Sequence, residues 1–196
     1  MVPMLKATPE NYKCCIMRLI DSKTEKWNFN DVIKGFFMVA DVRLVSPDPD
    51  PENLAAGEVP IFDMKGVTIW HVLKINFSTL KLYFKYAQEA HPVRVQQIHV
   101  YNCTPLINRI MTIIKPLLKP EVAARFQFHT PGSETIFDFI PRELLPEEYG
   151  GYAGPIQDIK DYWVEQFLAK RDYIASDANW IGKNIEDQNN NDPSCK

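Results

Sequence analysis

Few residues in this chain have the types and spacing that acid–base, nucleophilic or metal chemistry needs. Four histidines stand at positions 71, 91, 99 and 129, and four cysteines at 14, 15, 103 and 195. None of these spacings matches a zinc site or a redox pair. Neighbouring Cys14 and Cys15 point to opposite faces if they lie on a strand, which suits reduced core thiols of a cytosolic protein. Asp63 ends an apolar stretch, where a catalytic carboxylate could sit. An aspartate in that place more often accepts hydrogen bonds from the turn that follows. The chain has no Gly-x-Ser-x-Gly elbow, no Gly-x-x-x-x-Gly-Lys phosphate loop and no Gly-x-Gly-x-x-Gly fingerprint. An enzyme on this scaffold is therefore the weaker reading. No cofactor and no metal are expected, and what remains is apolar burial.

The densest apolar segment runs from Ile98 to Leu118. A strand, Ile98–Asn102, turns at Cys103-Thr-Pro105 into a helix carrying Leu106, Ile107, Ile110, Met111, Ile113, Ile114, Leu117 and Leu118. That is far more than the stripe of roughly 100° expected of a surface helix. Only Asn108, Arg109, Thr112 and Lys115 make a polar side. Such a helix is either buried on several faces or moves between two apolar partners.

The elements around it alternate. Residues 12–20 read as a strand, and Asn28-Phe-Asn-Asp31 as a capped helix start. That helix runs to about Leu44, with Val32, Ile33, Phe36, Phe37, Val39 and Ala40 inward. Ser46-Pro-Asp-Pro-Asp-Pro51 is a solvated loop, because proline lacks the amide proton and restrains its predecessor. Val59–Phe62 is a short, continuously apolar strand suited to the middle of a parallel sheet. A turn at Asp63–Gly66, a short helix to Leu73 and a second helix capped by Asn76 or Ser78 lead to His91-Pro92. Then come a strand at Val93–Tyr101, the apolar helix, a strand at Arg125–His129, a short helix through Phe139 and a tail helix at Ile156–Ser176. The pattern predicts an α/β fold with a mostly parallel sheet.

Hydrophobic residues make up 45% of the 196 and charged residues 24%, a globular composition. No apolar run reaches the roughly 18 residues of a membrane helix, and the start lacks a secretory signal. The net charge of −3 and the absence of a dominant basic tract argue against a nucleic-acid partner. A cytoplasmic monomer is the expectation.

Several fragments stand in one order: Gly57-x-x-x-Ile-Phe-Asp63-x-x-Gly66, His91-Pro-Val-Arg94, Ile98-His-x-x-Asn102-x-x-Pro105, Ile114-Lys-Pro-Leu-Leu118 and Leu145-Pro-Glu-Glu-Tyr-Gly-Gly151. Together they resemble the CRAL-TRIO lipid-binding domain, in the branch of tocopherol-transfer and retinaldehyde-binding proteins. The resemblance covers Tyr12–Ser176. It divides the chain into an extension at 1–11, the lipid-binding domain at 12–176 and a partly disordered tail at 177–196. It implies a five-stranded, mostly parallel mixed sheet flooring an apolar pocket, with helices behind and a mobile lid helix at about Leu106–Leu118. Members carry a helical domain ahead of the lipid domain. With the first strand starting at Tyr12, the resemblance implies that this domain is missing.

The same resemblance places the pocket wall at Ile33, Phe36, Phe37, Ala40, Ile75, Tyr86, Ala87, His91, Val93, Val95 and Ile98. Its lid comprises Leu106, Ile107, Ile110, Met111, Ile113, Ile114 and Leu117. Phe36 and Ala40 stand where tocopherol-binding relatives have small hydroxyls, so tocopherol itself fits poorly. His91, Tyr86 or Gln97 would then supply the polar contact that fixes a head group. Relatives bind phosphoinositide head groups through a basic cluster, of which Arg94 and Arg125 are kept while Gln96 and Glu121 replace two members. Lys115 and Lys119 lie close enough to compensate. The implied function is non-enzymatic transfer of a small hydrophobic ligand between membranes, with transient membrane association. A lipid-sensing interaction module is the alternative, and transfer between vesicles separates the two.

Overall fold

The computed structural model describes residues 1–46 and 55–176. Five strands form one sheet in the order β1 (Val2–Ala7), β2 (Tyr12–Met17), β3 (Gly57–Asp63), β4 (Ile98–Tyr101) and β5 (Phe126–Phe128). β1 runs antiparallel to β2, and every other neighbouring pair is parallel. Parallel neighbours need crossovers, and helices supply them. They are α1 (Phe29–Val45), α2 (Ile69–Leu73), α3 (Phe77–Glu89), α4 (Leu106–Ile114) and α5 (Pro120–Ala123), with α6 (Ile156–Ala169) and α7 (Arg171–Ala175) after the last strand. The predicted α/β fold is thus present as a mixed five-stranded sheet.

The helix starts follow from side-chain chemistry. Asn28 Oδ1 accepts the amides of Asn30 and Asp31 at 2.9 and 3.4 Å, satisfying donors that have no partner within α1. Asn76 Oδ1 accepts the Thr79 amide at 3.0 Å and starts α3 in the same way.

Strand alternation gives the sheet two faces of different character. On one, Cys14, Ile16, Val59 and Ile61 are buried in a continuous core with Ile136, Ile140, Leu145, Ile159 and Trp163. On the other, Met17, Pro60, Phe62, Ile98, Val100 and Phe126 face a cavity. The Leu145–Gly151 loop belongs to the packed side. The Tyr149 hydroxyl donates to Asp63 Oδ2 at 2.9 Å, while Glu148 accepts the Ile156 amide and starts α6. Gly150 has φ +76°, a region glycine enters without penalty. At Gly151 a Cβ would lie 2.0 Å from the Leu145 carbonyl oxygen, so no side chain fits.

Four features differ from the sequence reading. Residues 1–11 are more than an extension: β1 is the antiparallel edge of the sheet, and the Trp163 indole donates to the Pro3 carbonyl at 2.7 Å. The alternation of Met4 and Leu5 in so short a segment gave too little signal to read as a strand. The strand expected at Val93–Tyr101 is regular only over Ile98–Tyr101. Upstream, Glu58 is bracketed by Arg94 and Gln96 and pairs with Val95, whereas further on Ile61 pairs with His99, so the register against β3 slips by one residue and breaks the strand. The apolar helix gives way to a 3-10 turn at Lys115–Leu117, where Pro116 cannot continue the hydrogen-bond ladder. The tail helix is interrupted at Lys170, between α6 and α7. Most of the expected proline-rich loop and the tail at 177–196 lie outside the described residues.

Candidate functional site

Between the sheet and helices α1, α3 and α4 lies a cavity of about 1090 Å³. Its wall is built by three periodicities that meet. From α1 come Phe29, Val32, Ile33, Phe36 and Val39, spaced as one helical stripe; from α3 come Leu80, Tyr83, Phe84 and Ala87, spaced likewise. The third is the sheet face described above.

The fourth side is α4, which turns Ile107, Ile110, Met111 and Ile114 toward the cavity. None of its residues is fully buried, and Asn108, Arg109 and Thr112 face outward, exposed. The excess apolar surface read from the sequence therefore resolves into one broad face over the hollow, with little else packed on it. Leu106, Ile113 and Leu117 belong to the same segment but lie off the cavity wall.

This helix is moored at both ends. At its start the Cys103 amide donates to the His129 carbonyl at 2.8 Å, and Asn102 takes φ 56°, the left-handed region that asparagine tolerates. The Asn102 amide also donates to Asp63 at 2.7 Å. Past its end, one α3 side chain holds both directions of the backbone. Gln88 Nε2 donates to the Leu117 carbonyl at 3.0 Å, and Gln88 Oε1 accepts the Lys119 amide at 2.7 Å.

Among the wall positions expected from the sequence, Ile33, Phe36, Ile75, Ala87, His91, Val93, Val95 and Ile98 line the cavity. Three do not. Phe37 sits about one residue-step around α1 from Phe36 and packs its ring on Tyr86 at 4.9 Å. Tyr86 is out of step in the same way, one position short of Ala87. Ala40 is buried and faces a second, smaller cavity of about 440 Å³, lined also by Arg43, Glu58 and Arg94. The family resemblance implied those positions, whereas the helical period of α1 and α3 points to Val39 and Tyr83 instead. The sequence reading missed Tyr83, Phe84, Trp27, Phe29 and Gln88. The stripe 80–83–84–87 was the available signal for the first two.

Of the three polar candidates, Gln97 is committed elsewhere. Its Oε1 lies 3.0 Å from His99 Nε2, and His99 Nδ1 lies 2.8 Å from His129 Nε2. The chain continues to Thr135 at 2.8 Å and Ser133 at 2.8 Å. His99 and His129 are fully buried. Burial, then the neighbouring His129, push the His99 pKa down to about 4. His91 alone of the three lines the cavity.

The wall behind His91 is charged. Glu58 pairs with Arg43, and its Oε2 lies 3.5 Å from His91 Nε2. Burial opposes ionisation of Glu58, but the contacts from His91 and Arg43 outweigh it and hold the carboxyl below its usual range.

Arg94 and Lys119 border the cavity and are exposed, whereas Lys115 is exposed away from it. Arg125 is partly spent: its Nη1 donates to the Val95 carbonyl at 2.6 Å and reaches the Gln96 carbonyl at 3.2 Å. Lys119 faces Glu89 at 3.9 Å. Asp63 has three donors, the Lys65 amide at 2.9 Å, Asn102 and Tyr149, so it holds a turn and a loop. Among the described residues no three His, Cys, Asp or Glu side chains group to hold a metal, and no helix is long and apolar enough to cross a membrane.

A sheet with one face on a packed core and the other on a large apolar hollow, bordered by an amphipathic helix, makes a layered α/β domain built around a cavity. Residues 1–151 match the family described as CRAL/TRIO domain, and the chain belongs to that family. It is 32% identical over 121 residues to the human alpha-tocopherol transfer protein-like protein, covering 62% of this chain and 35% of that one. To rat clavesin-1 it is 28% identical over 128 residues, covering 65% and 35%. The chain thus spans about a third of the length of these curated relatives. Among solved structures, Sfh5 aligns over 79% of this chain and 54% of its own, with 15% identity and a TM-score of 0.48.

Proposed function

We propose that this chain is a non-enzymatic carrier of one small hydrophobic molecule, loaded from and returned to membranes past α4. The observation that carries the reading is the cavity itself. A volume near 1090 Å³ lies just above the roughly 300–1,000 Å³ of small-molecule sites. Burying an apolar cargo there releases roughly 25 cal/mol per Å², with no reaction needed. Membership of the CRAL/TRIO family and a relative named for tocopherol transfer support lipid cargo.

The amphipathic α4 supports the route. Closed, its apolar face covers cargo; open, that face suits the lipid interface, as in interfacial helices. The carrier works in the cytoplasm as a monomer and touches the membrane transiently. Phosphoinositide contact falls to Arg94, with Lys119 and Lys115, because Arg125 is largely engaged by the strand backbone.

Native mass spectrometry of the purified chain, with solvent extraction, tests the proposal. A stoichiometric apolar molecule is expected, followed by its transfer from donor to acceptor vesicles at a rate that rises with protein concentration. A chain that neither retains nor takes up any lipid refutes it. Uptake without accelerated transfer would leave a lipid-sensing module instead.

A further inference from the structure

The two edges of the sheet are guarded unequally. β1 carries Pro3 and Lys6, its register against β2 shifts between Pro3 and Ala7, and the Trp163 indole occupies the Pro3 carbonyl. Proline, charge and irregular register are devices that keep an edge strand from pairing with another chain. β5, Phe126-Gln127-Phe128, has none of them. The Ile98 amide donates to the Arg125 carbonyl and the His129 amide to the Val100 carbonyl, so the backbone of residues 125, 127 and 129 serves β4. The amides and carbonyls of Phe126 and Phe128 point the other way. Among the described residues nothing hydrogen-bonds them, and Phe128 is 46% exposed.

This edge is complementary to itself. An antiparallel second copy centred on Gln127 sets Phe126 of each chain opposite Phe128 of the other, so outward donors meet outward acceptors. Such a contact is isologous, as a two-fold pair requires. The two rings, already stacked within one strand at 6.0 Å, become directly opposed aromatic pairs of the kind that stabilise sheets. Next along, Arg125 faces His129, whose pKa burial holds below the usual histidine range. Beyond them, exposed Ala124 faces exposed Thr130. No like charges are brought together.

The two-fold axis of this pair stands normal to the sheet. Both cavities and both α4 helices therefore lie on one side of a continuous ten-stranded sheet, five strands from each copy. Two copies so joined can rest on one flat bilayer. A three-residue edge buries far less than the roughly 1,200–2,000 Å² of stable interfaces, so free chains stay apart. Confinement to a membrane raises their effective concentration.

We propose that the β5 edge is a self-pairing surface, through which two membrane-bound copies join into one sheet with both α4 helices toward the bilayer. This rests on the carrier reading and adds a partner to it.

The test is disulfide cross-linking of the full chain on vesicles of equimolar phosphatidylcholine and phosphatidylserine. A Cys195→Ser background is used, since Cys14, Cys15 and Cys103 are buried. Gln127 lies on the two-fold axis in a non-hydrogen-bonded pair, where Cα atoms approach to about 4.5 Å, within disulfide reach. Gln127→Cys is expected to cross-link at least tenfold more on vesicles than in free solution. It should also exceed Tyr152→Cys, 70% exposed beside the Leu145–Gly151 loop, by at least tenfold. Adding Phe128→Pro, which removes an outward amide and none that β4 uses, should abolish the excess. Phe128→Lys, which places a charge on the edge, should do the same. Equal yields at 127 and 152 on vesicles overturn the proposal, as does an excess that survives both Phe128 substitutions or is equally strong without vesicles. If the chain binds vesicles and position 127 stays unlinked, the self-pairing fails, the edge is left to an extended segment of another protein, and the carrier reading stands. If the chain binds no vesicles, both fail.

Discussion

On the proposed reading of α4 as a lid, Gln88 is the point at which closure is most open to attack. Its amide group meets the segment after α4 twice, donating to Leu117 and accepting from Lys119. Replacement by leucine keeps the size and the helix propensity of the site and removes both bonds. Lys119 is exposed and Leu117 half-buried, so water can reach the freed groups and no large orphan penalty follows. Each bond contributes roughly 0.5–1.5 kcal/mol net, and the pair about 2 kcal/mol in favour of closure. At 1.4 kcal/mol per decade, closure weakens by a factor of roughly 30. The assay loads the chain with a fluorescent lipid and follows its passage to quencher-bearing vesicles. Release should accelerate by up to about 30-fold, with Gln88→Glu intermediate because it keeps an acceptor for the Lys119 amide. The circular dichroism spectrum should not change. A Gln88→Leu chain that folds normally and releases cargo within twofold of the unmodified rate refutes the mooring as a control on opening.

Two further outcomes are expected. Ile110→Asp or Ile114→Asp should reduce vesicle affinity by about 30-fold or more in a sedimentation assay, since burial of one isoleucine is worth roughly 2 kcal/mol. Thr112→Asp, on the outward side, should leave it unchanged, and equal losses in all three would count against α4 as the contacting face. Acid should destabilise the fold through His99. An unfolded histidine takes its proton near pH 6.5, whereas the buried one resists to about 4, so the unfolded state binds more protons between those values. Stability from this group is level above pH 6.5 and falls by about 3 kcal/mol as pH drops through the window to 4. Urea midpoints measured across that range check it, and a His99→Gln chain with the same slope would disprove the assignment.

Much of the architecture was legible because local chemistry and global fold agree. Caps at Asn28 and Asn76, the apolar run at Val59–Phe62 and the ordered fragments from Gly57 to Gly151 each specify one outcome. The wall of the hollow was less legible, and the reason is geometric. Adjacent helical positions differ by about 100° in direction, so a reading one step out trades Ala87 for Tyr86 or Val39 for Ala40. β1 escaped notice because an edge of six residues carries few alternations. The ties from Gln88 to the segment after α4 could not be read at all. They join positions 29 and 31 residues apart, and only the folded path brings such side chains together.

A hollow walled by hydrocarbon has a consequence for traffic in both directions. Its 1090 Å³ would take roughly 35 water molecules at about 30 Å³ each, and few of the lining groups can hydrogen-bond them. Vacancy is therefore the least favourable condition of the molecule, and a departing guest is best replaced by an arriving one. On the carrier reading proposed above, the chain is an exchanger: how fast it unloads at one bilayer is set by what that bilayer has to give back.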